Sequence, residues 1–183
     1  MSSTELSIPL DAPGEYARGL LDRLGDRDFV TVLQATPAAL RTQFDGLDDA
    51  TIRLPEAPGK WSMIEVAHHL ADSDMVVGVR VRMIVAQDRP PIVAYEQDLW
   101  AEKLGYRQAA LSDVLTQFAV LRGANLRLAR RLSPADFERY GVHSERGGES
   151  VGYLLRLVAG HDLVHLDQMA RVRRAVTAPL TRE

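Results

Sequence analysis

Apolar positions recur at steps of three and four residues in several long stretches, the spacing that lines side chains up on one face of an α-helix. The longest stripe runs Val151, Leu154, Leu155, Val158, Leu166, Met169 and Val172 and predicts a helix over residues 150–175, with Ser150 as its cap. A second stripe, Val66, Leu70, Val77, Val81 and Ile84, predicts a helix over 63–88 that Arg89-Pro90-Pro91 stops. Its start carries the clearest local signal in the chain. Ser62 and Glu65 have the spacing of a capping box, and Trp61 and Val66 that of a hydrophobic staple. A third stripe, Val114, Phe118, Leu121, Asn125, Leu128 and Leu132, forms a coiled-coil-like seam behind Ser112 as cap, with Asn125 as the polar member that fixes helix register.

The first part of the chain predicts shorter pieces. Tyr16, Leu20, Leu21 and Leu24 mark a helix over 15–24 that Gly25 ends. Residues 28–35 form another, and Thr36-Pro37 then looks like an N-cap and first helical position, opening a separate helix that buries Leu40 and Phe44 and ends near Gly46. Residues 47–60 read as loop, and residues 90–110 as a long connection carrying Tyr95, Trp100 and Tyr106 with a helical turn or two. Ser133-Pro134 opens a short piece, and a glycine-rich turn at 145–149 precedes the last helix. No internal repeat and no segment resembling a parallel-sheet strand is present. Four substantial helices joined by loops predict an all-α four-helix bundle: an extended arm at 1–14, one domain over 15–178 and a tail at 179–183.

Composition narrows the chemistry more than the fold. The chain has 183 residues, 46% hydrophobic and 26% charged, with a net charge of -3 and a pI near 6.0. That balance gives no electrostatic footprint for nucleic acid. The start has neither a basic region nor an apolar run of a signal peptide, and no stretch approaches the length of a membrane span. A cytoplasmic protein without membrane or nucleic-acid partners is the expectation. There is no cysteine, so disulfides, thiolate metal ligands and a cysteine nucleophile are excluded, and any metal must be held by His, Asp or Glu.

Of the five histidines, two matter most. His161 and His165 stand four apart where the longest apolar stripe continues, so both rings point inward from one helix face and could meet one metal ion. The plain alternative is a pair of buried histidines with hydrogen-bond partners. His69, beside the apolar face of the second long helix, is the natural third ligand, because bundles build metal sites from facing helices. Three histidines leave one tetrahedral position free, the pattern of catalytic rather than structural sites. His68 points about 100° away around the helix and reads as a solvated or interface residue. Asp72, three residues past His69, is a candidate outer acceptor. Glu65 is a candidate general base, although its capping role explains it without chemistry. Asp162 and Asp167 read as solvated or as holding arginines of partner helices, and His143 as a loop residue whose placement the sequence does not fix, read as exposed ahead of lining the site.

Taken in order, Trp61-Ser62-x-x-Glu65-Val66-x-His68-His69-Leu70-x-Asp72-Ser73 and the distant His161-x-x-x-His165 resemble the DinB/YfiT-like superfamily. Arg89-Pro-Pro-Ile-Val-Ala-Tyr-Glu-Gln-Asp-Leu-Trp100 and Gly141-Val-His143 look like that family's inter-helix loops, so the similarity covers about 36–176. The resemblance implies a four-helix bundle, often a homodimer, with a divalent metal (zinc or nickel) held by residues matching His69, His161 and His165. It also implies a small-molecule substrate. Family members include thiol S-transferases that use low-molecular-weight thiols such as bacillithiol or mycothiol, a thiol-dependent isomerase, and proteins labelled metal-dependent hydrolases. A metal-stabilised or metal-sensing bundle without turnover, and a metal-free interaction bundle, are the competing expectations.

Overall fold

The computed structural model describes residues 10–178. Eight helices carry most of it: α1 (Glu15–Leu24), α2 (Phe29–Thr42), α3 (Asp49–Ile52), α4 (Met63–Ala86), α5 (Gln97–Lys103), α6 (Leu111–Ala129), α7 (Pro134–Glu138) and α8 (Val151–Thr177). Helices α2, α4, α6 and α8 make the bundle. α4 and α2 each lie against both α6 and α8, and α1 runs along the outside of α8. That last crossing is close: a Cβ on Gly160 would stand 2.1 Å from the Leu20 carbonyl oxygen, so only glycine admits α1 there. The tail predicted at 179–183 and most of the predicted arm lie outside the described residues. Where the arm can be described it folds back, and the Asp11 carboxylate accepts from the backbone N–H and hydroxyl of Ser150, the cap of α8.

The apolar stripes of α4 and α8 are buried as their periodicity requires, and the Ser62–Glu65 capping box starts α4. The core falls into two halves. One gathers Leu40, Phe44, Met63, Val66, Leu70, Phe118, Met169 and Val172, and the other Leu33, Val77, Val81, Ile84, Leu126, Leu154, Leu155 and Val158. Between them in sequence, on every bundle helix, comes a polar position: Thr36 on α2, Asp72 and Asp74 on α4, Arg122 on α6, and His161 and Asp162 on α8, all buried. A polar layer thus crosses the middle of the bundle.

Its centre is Arg122, 2% exposed, whose guanidinium donates to both oxygens of Asp74, both oxygens of Asp162 and the Leu33 carbonyl. Burial pushes the Asp74 carboxyl up to about 6 against the pull of Arg122. This layer also explains a departure from expectation. Thr36-Pro37 does not begin a helix; α2 runs unbroken through Pro37. Proline has no N–H for the carbonyl four residues back, which is Leu33, and Arg122 supplies the missing donor at 3.0 Å. The Thr36 hydroxyl, expected as a cap, instead donates back to the Val32 carbonyl.

Other expectations shift less. Helix α6 is capped at Ala110, and Ser112 lies in its first turn. The buried side of α6 is Val114, Leu115, Phe118, Arg122 and Leu126; it keeps the predicted Val114 and Phe118 and then runs one position past Leu121 and Asn125. Asn125 does pin α6 to α4: its amide donates to the Asp74 carbonyl and it accepts from Arg82. Gly78 provides the room, since a Cβ there would meet Asn125 at 2.5 Å.

A small sheet contradicts the expectation of no parallel pairing. β1 (Pro91–Ile92) pairs in parallel with β2 (Tyr140–His143), Ile92 opposite His143, and β2 pairs antiparallel with β3 (Gly147–Ser150). A two-residue strand beside two prolines has too little alternation to be seen in sequence. The sheet fixes the loops between α4 and α5 and between α7 and α8 at one end of the bundle.

Candidate metal centre

Helix α4 turns His69 inward, 1% exposed, on the same side as Val66 and Leu70. Helix α8 presents His161, 9% exposed, and the less buried His165 from successive turns. The three rings meet. The Nε2 atoms of His69 and His165 each lie 3.0 Å from Nε2 of His161, and one nitrogen from each ring falls within 4.8 Å of the others. Ligand nitrogens about 2.0–2.1 Å from a zinc ion stand roughly 2.8–3.4 Å apart for right-angle to tetrahedral arrangements. The observed spacing fits one ion among the three rings.

Protonation agrees with that fit. Burial pushes the His69 ring down to about 3, with help from the neighbouring His165. Burial holds His161 far below the ordinary histidine range, and lowers His165 against the opposing bond to Gln168. Neutral imidazoles are the form that binds metal. Gln168 Oε1 lies 2.7 Å from His165 Nδ1, so that nitrogen carries the proton and the Nε2 lone pair faces the other rings. The Nδ1 atoms of His69 and His161 are buried without a protein partner. Without a cation, the His165 Nε2 lone pair is placed to accept the Nε2 proton of His161; a cation held by the three Nε2 atoms would shift the protons of His69 and His161 to Nδ1. Trp61 closes over His69 with ring centroids 5.0 Å apart.

Because, among the described residues, Gln168 alone hydrogen-bonds a ring of the cluster from outside, Gln168→Leu is expected to weaken metal affinity by about 10–100-fold with little change in fold, as loss of such outer partners does elsewhere. Competition with a chromogenic chelator measures this, and equal affinity in the variant would refute it.

The two candidate carboxylates are held by other donors. Asp72 accepts from the Tyr106 hydroxyl at 2.6 Å and the Gln117 amide at 3.0 Å. Glu65 Oε2 accepts from the Ser62 N–H and hydroxyl and from Arg107. His68 stacks on Tyr106 with centroids 4.2 Å apart, half-buried rather than freely solvated. Asp162 and Asp167 both hold arginines of other helices, Arg122 of α6 in the core and Arg23 of α1 at the surface.

His69 and His161 form part of the wall of a cavity of about 230 Å³. Leu154, Leu157 and Val158 of α8 contribute apolar wall, and Tyr95 and Arg80 line it as well. His143 lines it too and is 2% exposed, which corrects its reading as an exposed loop residue: pairing of β2 with β1 and β3 carries the loop inward. Sequence reasoning also missed Arg80 and Arg122. Signals existed for both. Arg80 lies eleven residues past His69, three turns on and so on the same face. Arg122 stands four residues from Phe118 and four from Leu126, in the middle of an apolar row.

Comparison with known proteins agrees with this architecture. The family model of the DinB superfamily matches residues 33–169. GK0616 of Geobacillus kaustophilus, provisionally named a metal-dependent hydrolase, is 29% identical over 167 residues, covering 89% of each chain. YfiT of Bacillus subtilis, named in the same provisional way, is 27% identical over 93% of this chain and 97% of its own. The solved YfiT structure, described as a four-helix bundle of unusual topology, superimposes with a TM-score of 0.72 at 24% identity over 89% of this chain and 91% of that one. A second four-helix bundle, TT2238, gives 0.59 at 20% identity over 78% and 96%. Since the family model spans α2 to α8 and takes in all three converging histidines, the chain belongs to the DinB superfamily.

Proposed function

We propose that this protein is a metal-dependent enzyme in which His69, His161 and His165 hold one divalent cation, zinc or nickel, and leave a position open toward the adjoining cavity. The observation that carries the reading is the meeting of three imidazole nitrogens, those of His69 and His165 each 3.0 Å from that of His161, at the wall of a cavity large enough for a small molecule. Among the described residues no carboxylate joins the three rings, which favours an open site over a closed structural or sensing one. A cation held there lowers the pKa of a thiol or water at its open position.

Thiol transfer is the preferred chemistry. Water attack ordinarily needs a general base, whereas a thiol is acidic enough to lose its proton without one. Glu65 and Asp72 are engaged by Arg107, Ser62, Tyr106 and Gln117, so we assign them supporting roles: Glu65 starts α4, and Asp72 ties Tyr106 to it. The chain has no cysteine, so the thiol enters as a cosubstrate. Hydrolysis is the second reading, favoured by the provisional names of the relatives. The family resemblance adds a cytoplasmic homodimer, which light scattering of the purified protein checks.

Metal-loaded protein should conjugate a bimane electrophile to a small thiol such as glutathione or mycothiol, and chelation should abolish the conjugation. Chelator-sensitive cleavage of a nitrophenyl ester without thiol would move the assignment to hydrolase. Absence of both reactions would leave a bundle without turnover, and a reaction that survives chelation would refute metal dependence.

A further inference from the structure

Beyond the three histidines, the cavity wall carries two polar groups that lack a counterpart among the described residues: a ring N–H without an acceptor and a guanidinium without a carboxylate. His143 Nδ1 accepts from the backbone N–H groups of Glu145 and Arg146, at 3.1 and 3.3 Å. That nitrogen must present its lone pair, so the proton of the neutral ring sits on Nε2. Nε2 is buried and has no acceptor in the protein. Buried donors are satisfied almost without exception, so this one calls for an acceptor, a water or a ligand, that the protein itself does not supply.

The second group is Arg80. Its guanidinium is half-buried and donates to the Val93 carbonyl at 2.7 Å. Among the described residues no carboxylate pairs with it. The nearby Glu149 is already held through two hydrogen bonds by Arg146, so that pair is neutral as a unit. Burial and Arg146 both lower the Arg80 pKa, as expected for a cation short of counter-charge. Glu96 and Glu145 also border the cavity, but both are exposed and screened by water. The remaining wall is mostly aliphatic, with Tyr16, Tyr95, Ser73, Gln97 and the paired Arg146 as its polar members.

We propose that the cavity beside the three histidines is a binding site for a small molecule with a carboxylate at one end and an apolar body, the carboxylate taken by Arg80 and the His143 Nε2–H. The inference rests on reading the three-histidine cluster as a metal site that acts on small molecules, and it names the substrate class of that site. A guanidinium offers paired parallel donors matched to a carboxylate, and the imidazole N–H fills a remaining lone pair. The apolar body lies along Leu154, Leu157 and Val158, which sets the far end of the molecule against His69 and His161.

Calorimetric titration of the metal-loaded protein with hexanoate, and with uncharged hexanamide, tests this. Arg80→Met keeps the aliphatic stem and removes the charge. His143→Asn keeps an acceptor for the Glu145 and Arg146 N–H groups, so the turn survives, and removes only the Nε2 donor. Hexanoate is expected to bind, hexanamide at least about tenfold more weakly, and each variant to weaken hexanoate by about tenfold or more with unchanged metal content. Equal binding of the two probes, no binding of hexanoate, or unchanged affinity in the two variants, as when the carboxylate sits on the metal, would overturn the proposal. Metal content is measured on the same samples, so a wild type without metal counts against the three-histidine reading while the titration still decides the carboxylate site.

Discussion

His161→Ala is expected to lower metal content from about one ion per chain to near zero, with affinity down by well over 100-fold, since even outer-partner losses cost 10–100-fold. His161 is the pivotal ring because both 3.0 Å approaches converge on its Nε2. Its removal leaves His69 and His165 as an incomplete pair. The fold should survive: a neutral, buried imidazole whose Nδ1 has no partner contributes little hydrogen bonding to stability. Elemental analysis of protein purified without a histidine tag reads the effect, and circular dichroism reads the fold. Full metal content in the variant would refute the site as described. His69→Ala and His165→Ala should follow the same course, and chelation of the wild type should lower its melting temperature while leaving that of the His161 variant unchanged.

Arg122→Met is expected to have the largest effect on stability, about 3–5 kcal/mol. For a chain of this size that corresponds to a fall in melting temperature of roughly 6–20 °C. The loss is not the worth of one ion pair. It is the cost of leaving the Asp74 and Asp162 carboxylates and the Leu33 carbonyl buried without their donor. Neutralising the acceptors should therefore recover much of it. The triple variant Arg122→Met, Asp74→Asn, Asp162→Asn should regain at least about half of the lost stability, because a buried ion network replaced as a unit is often close to neutral. Urea unfolding of the three proteins makes the comparison, and a triple variant less stable than the single one would show that the charges themselves hold the bundle.

The buried arginine shows why some of this protein was hidden in its sequence. Arginine in a helix reads as a solvated residue, and Pro37 reads as a helix start. Each is a reasonable local inference, and each fails for the same reason. The carbonyl that Pro37 leaves unbonded and the two carboxylates of α4 and α8 together make a pocket for one guanidinium, and those partners are 40 to 89 residues away from Arg122 in the chain. His143 is a parallel case. Its burial depends on a hairpin and on a two-residue parallel pairing with β1, contacts with no local periodicity to announce them.

What the sequence by itself determined is what a single helix can encode. Periodicity set the long helices α4, α6 and α8, the Ser62–Glu65 box set where α4 begins, and four-residue spacing put His161 and His165 on one buried face. The absence of cysteine limited any metal site to imidazole and carboxylate. Only the tertiary structure decided that His69 meets that pair, that Glu65 and Asp72 are held by other donors, and that Arg80 and His143 face the same cavity. The physical reason is the range of the interactions. Helix capping and amphipathic spacing act within a few residues, whereas the pairing of a buried charge or donor is settled by whichever helix or loop packing brings within 3 Å of it.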